Sequence, residues 1–255
     1  MSTNLAAHRE SPSEQQRIAD LFALLPVSGR EALDIGARDG YLAKRLAERF
    51  DRVTALDLER PRIDHDKIEP VKGDVTRLDF ADNRFDAVLC AEVLEHIPPA
   101  LLPQACREIA RVARDKVVIG VPYRQELRNG RTTCAACGRP NPPWGHVNQF
   151  DEARLRALFS TLKWEKASFV GTINDATNPL AVALLDYAGN PFGTWQQDET
   201  CVHCGAPIGG PRPRSLGQRL ATRAAYLLNR AQVQFTAPHG NWIHVLFSKP
   251  SSSAV

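Results

Sequence analysis

Two stretches of this chain share one short pattern, Cys134-Ala-Ala-Cys137-Gly-Arg-Pro and Cys201-Val-His-Cys204-Gly-Ala-Pro. A C-x-x-C turn aims two thiolates at one point, and a following glycine admits the left-handed residue that such a knuckle needs. Two knuckles of one form supply four thiolates, the tetrahedral set of a zinc ion with no open coordination position, so the expected metal is structural. The 63 residues between the knuckles (138–200) are far more than a zinc ribbon holds, so the ion would staple two separate insertions. A redox role needs a single C-x-x-C, usually where a strand runs into a helix. Both pairs here sit among Gly and Pro. His146 and His203 lie close by and are read as outer-shell groups rather than ligands. Cys90 and Cys106 stand alone in apolar surroundings, as small buried side chains do.

A second constellation consists of acids at the ends of apolar runs. Asp34-Ile-Gly36-Ala37-Arg38-Asp-Gly40 follows a short strand pattern, and a glycine turn there lets a ligand approach the backbone closely. Asp57 ends the next apolar run, where a carboxylate can accept hydrogen bonds from both ribose hydroxyls. Asp74 follows a third run, within reach of an adenine amino group. One such acid is an ordinary loop residue, whereas three at successive strand ends describe a nucleoside site. The Gly36-x-x-x-Gly40 spacing does not fit the G-x-G-x-x-G turn that seats a dinucleotide pyrophosphate, which argues against a dehydrogenase.

Positioning these groups requires elements in a fixed order. Helical spacing of Ile18, Leu21, Phe22 and Leu25 predicts a helix over 14–25, ended by Pro26. Strands are expected at 32–35, 53–56, 71–75, 85–90 and 117–121. A helix carrying Leu42, Leu46 and Phe50 on one face follows the first, and an amphipathic helix over 101–112 precedes the fifth. Alternation of strands and helices implies βαβ units and a parallel sheet covered on both faces. After Pro122 the pattern changes to Gly-, Pro- and Asn-rich sequence. A helix over 151–162 with Asp151 as N-cap, a strand over 167–172 and a last strand over 242–247 return to the regular pattern. The expected organisation is a disordered tail (1–13), a sheet core (14–122), a first insertion with one knuckle (123–150), a core helix and strand (151–173), a second insertion with the other knuckle and a basic helix at 216–231 (174–239), and a last strand with tail (240–255). The fold class is α/β, a Rossmann-like seven-stranded, mostly parallel sheet in a three-layer αβα arrangement with a zinc-stapled insertion region.

At this point the chain resembles the class I S-adenosylmethionine (SAM)-dependent methyltransferases, over about residues 30–173 plus the last strand. The matching stretches are Leu33-Asp-Ile-Gly-Ala-Arg-Asp-Gly40, Val53-Thr-Ala-Leu-Asp57, Gly73-Asp74 and Phe85-Asp-Ala-Val-Leu-Cys-Ala-Glu-Val-Leu-Glu-His-Ile-Pro98. The resemblance implies that Asp34 and Gly36 shape the methionine pocket, Asp57 holds the ribose, Asp74 with Val75 contacts adenine, and the backbone from Cys90 to Glu92 lines the sulfonium side. With Ala37, Arg38, Gly40 and Leu58 these form the implied cofactor-binding set. The family usually has glycine where this chain has Arg38, so the turn must tolerate a side chain there.

Methyl transfer asks the protein for positioning and, with a hydroxyl acceptor, for proton removal. His146, in Pro143-Trp144-Gly145-His146, is the candidate general base; His96 is read as bracing its loop. Trp144 and Tyr123 are candidates to flank a ring or sugar. The two halves of the chain differ in charge: residues 1–121 carry 18 Lys and Arg against 21 Asp and Glu, and residues 122–255 carry 14 against 8. No acid follows Glu199, whereas Arg212, Arg214, Arg219, Arg223, Arg230 and Lys249 do. The expected reaction is therefore O-methylation of a small, anionic, sugar- or nucleotide-linked acceptor. An RNA methyltransferase gripping phosphates with the zinc region and arginines, and a non-catalytic SAM- or zinc-binding module, remain the alternatives. No apolar run reaches the ~20 residues of a membrane span and no secretory pattern opens the chain, so a cytoplasmic protein is expected, with peripheral membrane contact through the basic helix an open option.

Overall fold

The computed structural model describes residues 9–250, so residues 1–8 of the expected tail lie outside the described residues. Helix α1 (Pro12–Leu24) takes up the end of that tail and precedes β1 (Gly29–Ile35), α2 (Tyr41–Leu46), β2 (Phe50–Asp57), β3 (Ile68–Lys72) and β4 (Phe85–Ala91). A 3-10 turn (Leu94–His96), α3 (Leu102–Val112) and β5 (Ala113–Pro122) follow. Beyond them come a two-strand hairpin, β6 (Thr132–Thr133) and β7 (Pro140–Asn141), then α4 (Glu152–Leu158), β8 (Lys163–Val170), α5 (Pro179–Tyr187), α6 (Leu216–Val233) and β9 (Trp242–Ser248).

Seven strands form one sheet in the order β3-β2-β1-β4-β5-β9-β8, parallel except that β9 runs against both neighbours. This is a Rossmann-like, mostly parallel sheet with helices on both faces. Side-chain alternation explains the layers, since successive residues of a strand point to opposite faces. On β1 and β4, Leu33, Ile35, Val88 and Cys90 share a core with α3 and α4. The intervening Ala32, Ala87 and Leu89 pack with Ile18, Leu21 and Phe22 of α1 and Ala43 and Leu46 of α2. Asp34 occupies the same alternation as Ala32 and is buried in the sheet, 2% exposed.

Several boundaries differ from the sequence reading. The third strand starts three residues early, at Ile68, because on this edge strand burial is concentrated at Ile68 and the apolar signal of Val71 and Val75 belongs to the strand end and the turn after it. Helix α2 stops at Leu46, and Phe50 opens β2 instead of continuing a helical face. Helix α4 ends at Leu158, and β8 begins at Lys163 and ends at Val170, so the strand read over 167–172 is shifted. Helix α5, inside the second insertion, has its signal in Asn178-Pro179: the Asn178 side chain accepts from the Ala181 N–H and proline occupies the first turn.

The chain divides into two units. One comprises residues 12–123, 150–171 and 242–250, the other residues 9–11, 124–149 and 172–241. Within the sheet unit, Pro122 of β5 pairs with Trp242 of β9, and Val170 of β8 pairs with the same Trp242. Tyr123 also bridges Phe150. Both excursions into the second unit therefore leave and re-enter the sheet at the carboxyl end of its parallel strands, where α/β sheets bind ligands.

Candidate functional site

The turn after β1 contains three left-handed residues in five, Gly36 (φ 80°), Arg38 (φ 47°) and Gly40 (φ 79°). It is held from below by the Leu56 carbonyl, which accepts from the N–H groups of Gly36 (2.8 Å) and Ala37 (3.1 Å). A Cβ on Gly36 would stand 2.4 Å from Cγ2 of Val93, and one on Gly40 would stand 2.3 Å from Cδ1 of Ile63. Glycine is needed at both positions for backbone and for space. Arg38 adopts the conformation that glycine takes more easily, at a cost of about 1–2 kcal/mol, and its side chain is exposed. That geometry shows how the turn accommodates a side chain where the resembled family has none.

Asp57, at the end of β2, joins this turn to its own strand. Its Oδ2 accepts from the Arg38 N–H (2.8 Å) and its Oδ1 from the Leu58 N–H (2.7 Å). Each carboxylate oxygen offers two lone pairs, so one acceptor site on each remains for a diol. Leu58 beside it is 66% exposed, an apolar side chain standing in solvent next to a polar anchor. At the next strand end, Asp74 Oδ1 accepts from both the N–H and the Oγ1 of Thr76 (2.8 Å each), which fixes the carboxyl at the turn, and Val75 is buried.

Asp34 is anchored on one side only, by the Ala43 N–H. Burial pushes it up to about 7, Asp57 and Asp39 add to the rise, and the Ala43 N–H opposes it. Its Oδ2 is buried without a hydrogen-bond partner. An orphaned buried acceptor is costly, and a cationic or N–H-bearing ligand is what satisfies one. Beyond β4, Cys90 is fully buried and burial drives its thiol well above its ordinary range, so it stays protonated and offers only its backbone. Glu92 sits at φ 57° with its N–H on the Gly120 carbonyl (2.9 Å). Its side chain accepts from the Trp242 indole (3.3 Å) and faces Arg17 (3.9 Å), so the carboxylate braces α1 against β9 and its backbone is the part left to line a site.

Two features of this unit escaped the sequence reading. Arg17 is buried and forks onto both oxygens of Glu14 (2.6 and 2.8 Å), placing a fixed cation next to Glu92. Glu95 is wholly buried with both carboxyl oxygens unpartnered, and burial together with Glu92 raises it far above the carboxylate range. The available signal was the Glu92-Val-Leu-Glu95 spacing, one helical turn apart. His96 ends the 3-10 turn and donates its N–H to the Val93 carbonyl (3.0 Å).

In the second unit, His146 is buried (7% exposed) at the end of a 3-10 turn. Its Nδ1 lies 2.6 Å from Gln125 Oε1, an acceptor, so Nδ1 donates there. Trp144 (φ 55°) is held by a bond from its N–H to Thr194 Oγ1 (3.1 Å) and is 45% exposed.

The four cysteines converge in this same unit. Their sulfurs all lie within 4.8 Å of one another, with Cys134–Cys204 and Cys137–Cys201 at 3.8 Å. Zinc–thiolate bonds of ~2.3 Å at tetrahedral angles place sulfurs about 3.8 Å apart. Each knuckle closes alike: Gly138 N–H reaches the Cys134 carbonyl (2.9 Å) and Gly205 N–H the Cys201 carbonyl (2.8 Å), both glycines at φ 71°. The Cys137 and Ala136 N–H groups help draw the Cys134 thiol down to about 7. The two loops are also tied directly, Val202 N–H to Asn141 Oδ1 (2.8 Å) and His203 Nε2 to the Pro140 carbonyl (2.9 Å).

Comparison with known proteins bears on the sheet unit. Residues 33–119 match a methyltransferase domain. A ubiquinone biosynthesis O-methyltransferase of Alkalilimnicola ehrlichii is 33% identical over 96 residues, covering 33% of this chain and 39% of that protein. A methyltransferase of Mycobacterium tuberculosis named as uncharacterized is 34% identical over 131 residues, 48% of this chain and 66% of that one. The chain thus spans about two fifths of the length of the ubiquinone-pathway relative. The N-methyltransferase NodS of Bradyrhizobium japonicum, solved with S-adenosyl-L-homocysteine, has the same fold (TM-score 0.53, 16% identity, 98% of this chain and 94% of that one). A Bacillus halodurans structure in the methyltransferase class reaches a TM-score of 0.59 at 15% identity over 92% of this chain and 99% of that one.

Proposed function

We propose, for a chain built on a class I SAM-dependent methyltransferase domain, that it transfers a methyl group from SAM to an oxygen of a small anionic acceptor, and that its four cysteines hold a structural zinc ion. The observation that supports the cofactor most directly is the set of strand-end acids, an Asp34 whose Oδ2 is buried without a partner beside a diol-ready Asp57, on a turn whose two glycines leave no room for a Cβ. When bound, SAM supplies a methyl carbon already activated by its sulfonium. Asp34 accepts from the ammonium of its methionine part, and Asp57 accepts from both ribose hydroxyls. Asp74 and Val75 hold the adenine edge, with Leu58 as the apolar cover. Gly36, Ala37, Arg38 and Gly40 contribute the backbone of the turn, and Cys90 to Glu92 that of the β4 end.

Oxygen as the acceptor atom follows the O-methyltransferase relative and the presence of a histidine set up to take a proton. His146 holds Nδ1–H on Gln125, so Nε2 is the basic nitrogen for an acceptor hydroxyl. The acid-free, arginine-bearing sequence after Glu199 supports an anionic acceptor. The four-thiolate geometry supports zinc, closed to substrate, with the hydrogen-bonded knuckles as its supporting shell.

The test is kinetic. With SAM and an acceptor identified by screening phosphorylated and nucleotide-linked sugars, His146→Ala should lower kcat by about 10²–10⁴-fold, the range of lost general-base catalysis. Its affinity for S-adenosyl-L-homocysteine should be unchanged. Equal turnover in the two proteins removes His146 from the reaction.

A further inference from the structure

The insertion unit contains a cavity of its own, about 870 Å³. That lies within the range of roughly 300–1,000 Å³ typical of small-molecule sites. One wall is a single stripe of α6. Arg223, Tyr226, Leu227, Arg230 and Val233 all line it, spaced three, four and seven apart as one helical face requires. The opposite face of α6, Ala221 and Ala225, is buried. Leu185 of α5 and Phe192 complete the apolar lining.

Three features show that this surface is unfinished without a ligand. Phe192, Tyr226 and Leu227 are 72%, 60% and 63% exposed, a cluster of large apolar side chains that a solvated surface normally avoids. Arg223 and Arg230 have no ion-pair or hydrogen-bond partner among the described residues. No lining residue is acidic, and the neighbouring Asp186 is already committed to Arg131 (3.1 Å). Asparagines of the wall are bonded to neighbours behind it, as Asn229 Oδ1 accepts from Thr177 Oγ1 (2.7 Å) and Asn190 Nδ2 donates to Asp186 Oδ1 (2.9 Å). What remains for an occupant is apolar surface and two guanidiniums, seven residues or about 10 Å apart along the helix, one on each side of Tyr226 and Leu227.

We infer that this cavity binds a single-chain anionic amphiphile, an aliphatic or isoprenoid body lying over Tyr226, Leu227 and Phe192 with a phosphate or carboxylate paired to Arg223 or Arg230. Guanidinium prefers these anions, which it can engage with two parallel hydrogen bonds. The assignment stands whether or not the sheet unit transfers methyl groups.

Calorimetric titration of the full-length, zinc-replete protein with decyl phosphate, below its micellar concentration, tests the inference. Saturable one-to-one binding is expected, with decanol and inorganic phosphate each at least tenfold weaker. Arg223→Gln with Arg230→Gln, two exposed positions that carry no packing, should weaken decyl phosphate at least tenfold and leave decanol unaffected. Ala176→Trp, which fills the cavity from its lining, should abolish both. No binding of decyl phosphate overturns the inference, as does equal binding by the wild type and the paired arginine variant. Binding confined to phosphatidylglycerol vesicles and unaltered by Ala176→Trp also overturns it, in favour of a flat membrane-facing surface.

Discussion

Asp34 and His244 show how burial sets the chemistry of single residues in this protein. Asp34, held near 7 by burial, binds its proton in the native state where the unfolded chain has lost it, so its contribution to stability declines as pH rises from about 4 through 7. His244 is fully buried, donates from Nδ1 to Asp20 (2.6 Å), and is lowered to about 4 by burial. It is neutral in the native state, so stability is lost as pH falls from the unfolded value of 6.5 toward 4. The two slopes oppose one another. Asp34→Asn should therefore gain stability over the wild type at pH 8, by about 1–4 kcal/mol from the size of the shift, and none at pH 4. Denaturant unfolding at the two pH values measures this, and a gain that does not vary with pH would mean Asp34 is not the group that titrates. Asp34 should also lose its proton when SAM binds, so affinity should rise with pH through about 7 in the wild type and be flat in Asp34→Asn. The turn offers a second pair. Gly36→Ala meets both a φ of 80° and Val93, and should cost about 2–3 kcal/mol, whereas Arg38→Gly removes a left-handed side chain and should be neutral or stabilising.

At the scale of elements, the sequence showed most where one residue type had one physical job. Continuous apolar runs marked β1, β2, β4 and the centre of β5, and the repeated C-x-x-C-G-x-P pattern located sulfurs that meet 3.8 Å apart across 64–70 residues. Legibility failed where the stabilising partner is distant in sequence. Edge strand β3 buries chiefly Ile68, leaving the apolar pattern too thin to fix its start. The hairpin β6–β7 is two residues per strand and exists to flank a knuckle. Arg17 is an internal cation because Glu14 and Glu92 face it. The Glu92–Glu95 spacing was a weak sign of Glu95's burial, since a Glu-His pair in a short turn is ordinarily solvated. The knuckles give the prediction at this scale. Cys201→Ser should reduce bound zinc from about one ion per chain and lower Tm by several degrees, as loss of a structural metal does. Unchanged stoichiometry by metal analysis would refute the four-cysteine assignment.

Over the whole molecule, both excursions from the sheet leave at the carboxyl ends of the parallel strands, and Asp34 and Asp57 belong to that same edge. Charge divides along the chain, acidic across the first 121 residues and basic beyond them. An anionic acceptor met by arginines should have a KM that rises with ionic strength while kcat is unmoved, and a flat KM between 0.05 and 0.5 M salt would exclude that charge match. All of this depends on the nucleoside site. The most direct measurement is calorimetric titration of the zinc-replete protein with SAM and S-adenosyl-L-homocysteine, alongside Asp57→Ala. The account predicts one-to-one, micromolar binding of both, weakened by about 10–100-fold when the diol acceptor is removed. Absence of binding to either compound, or equal affinity in Asp57→Ala, would contradict it.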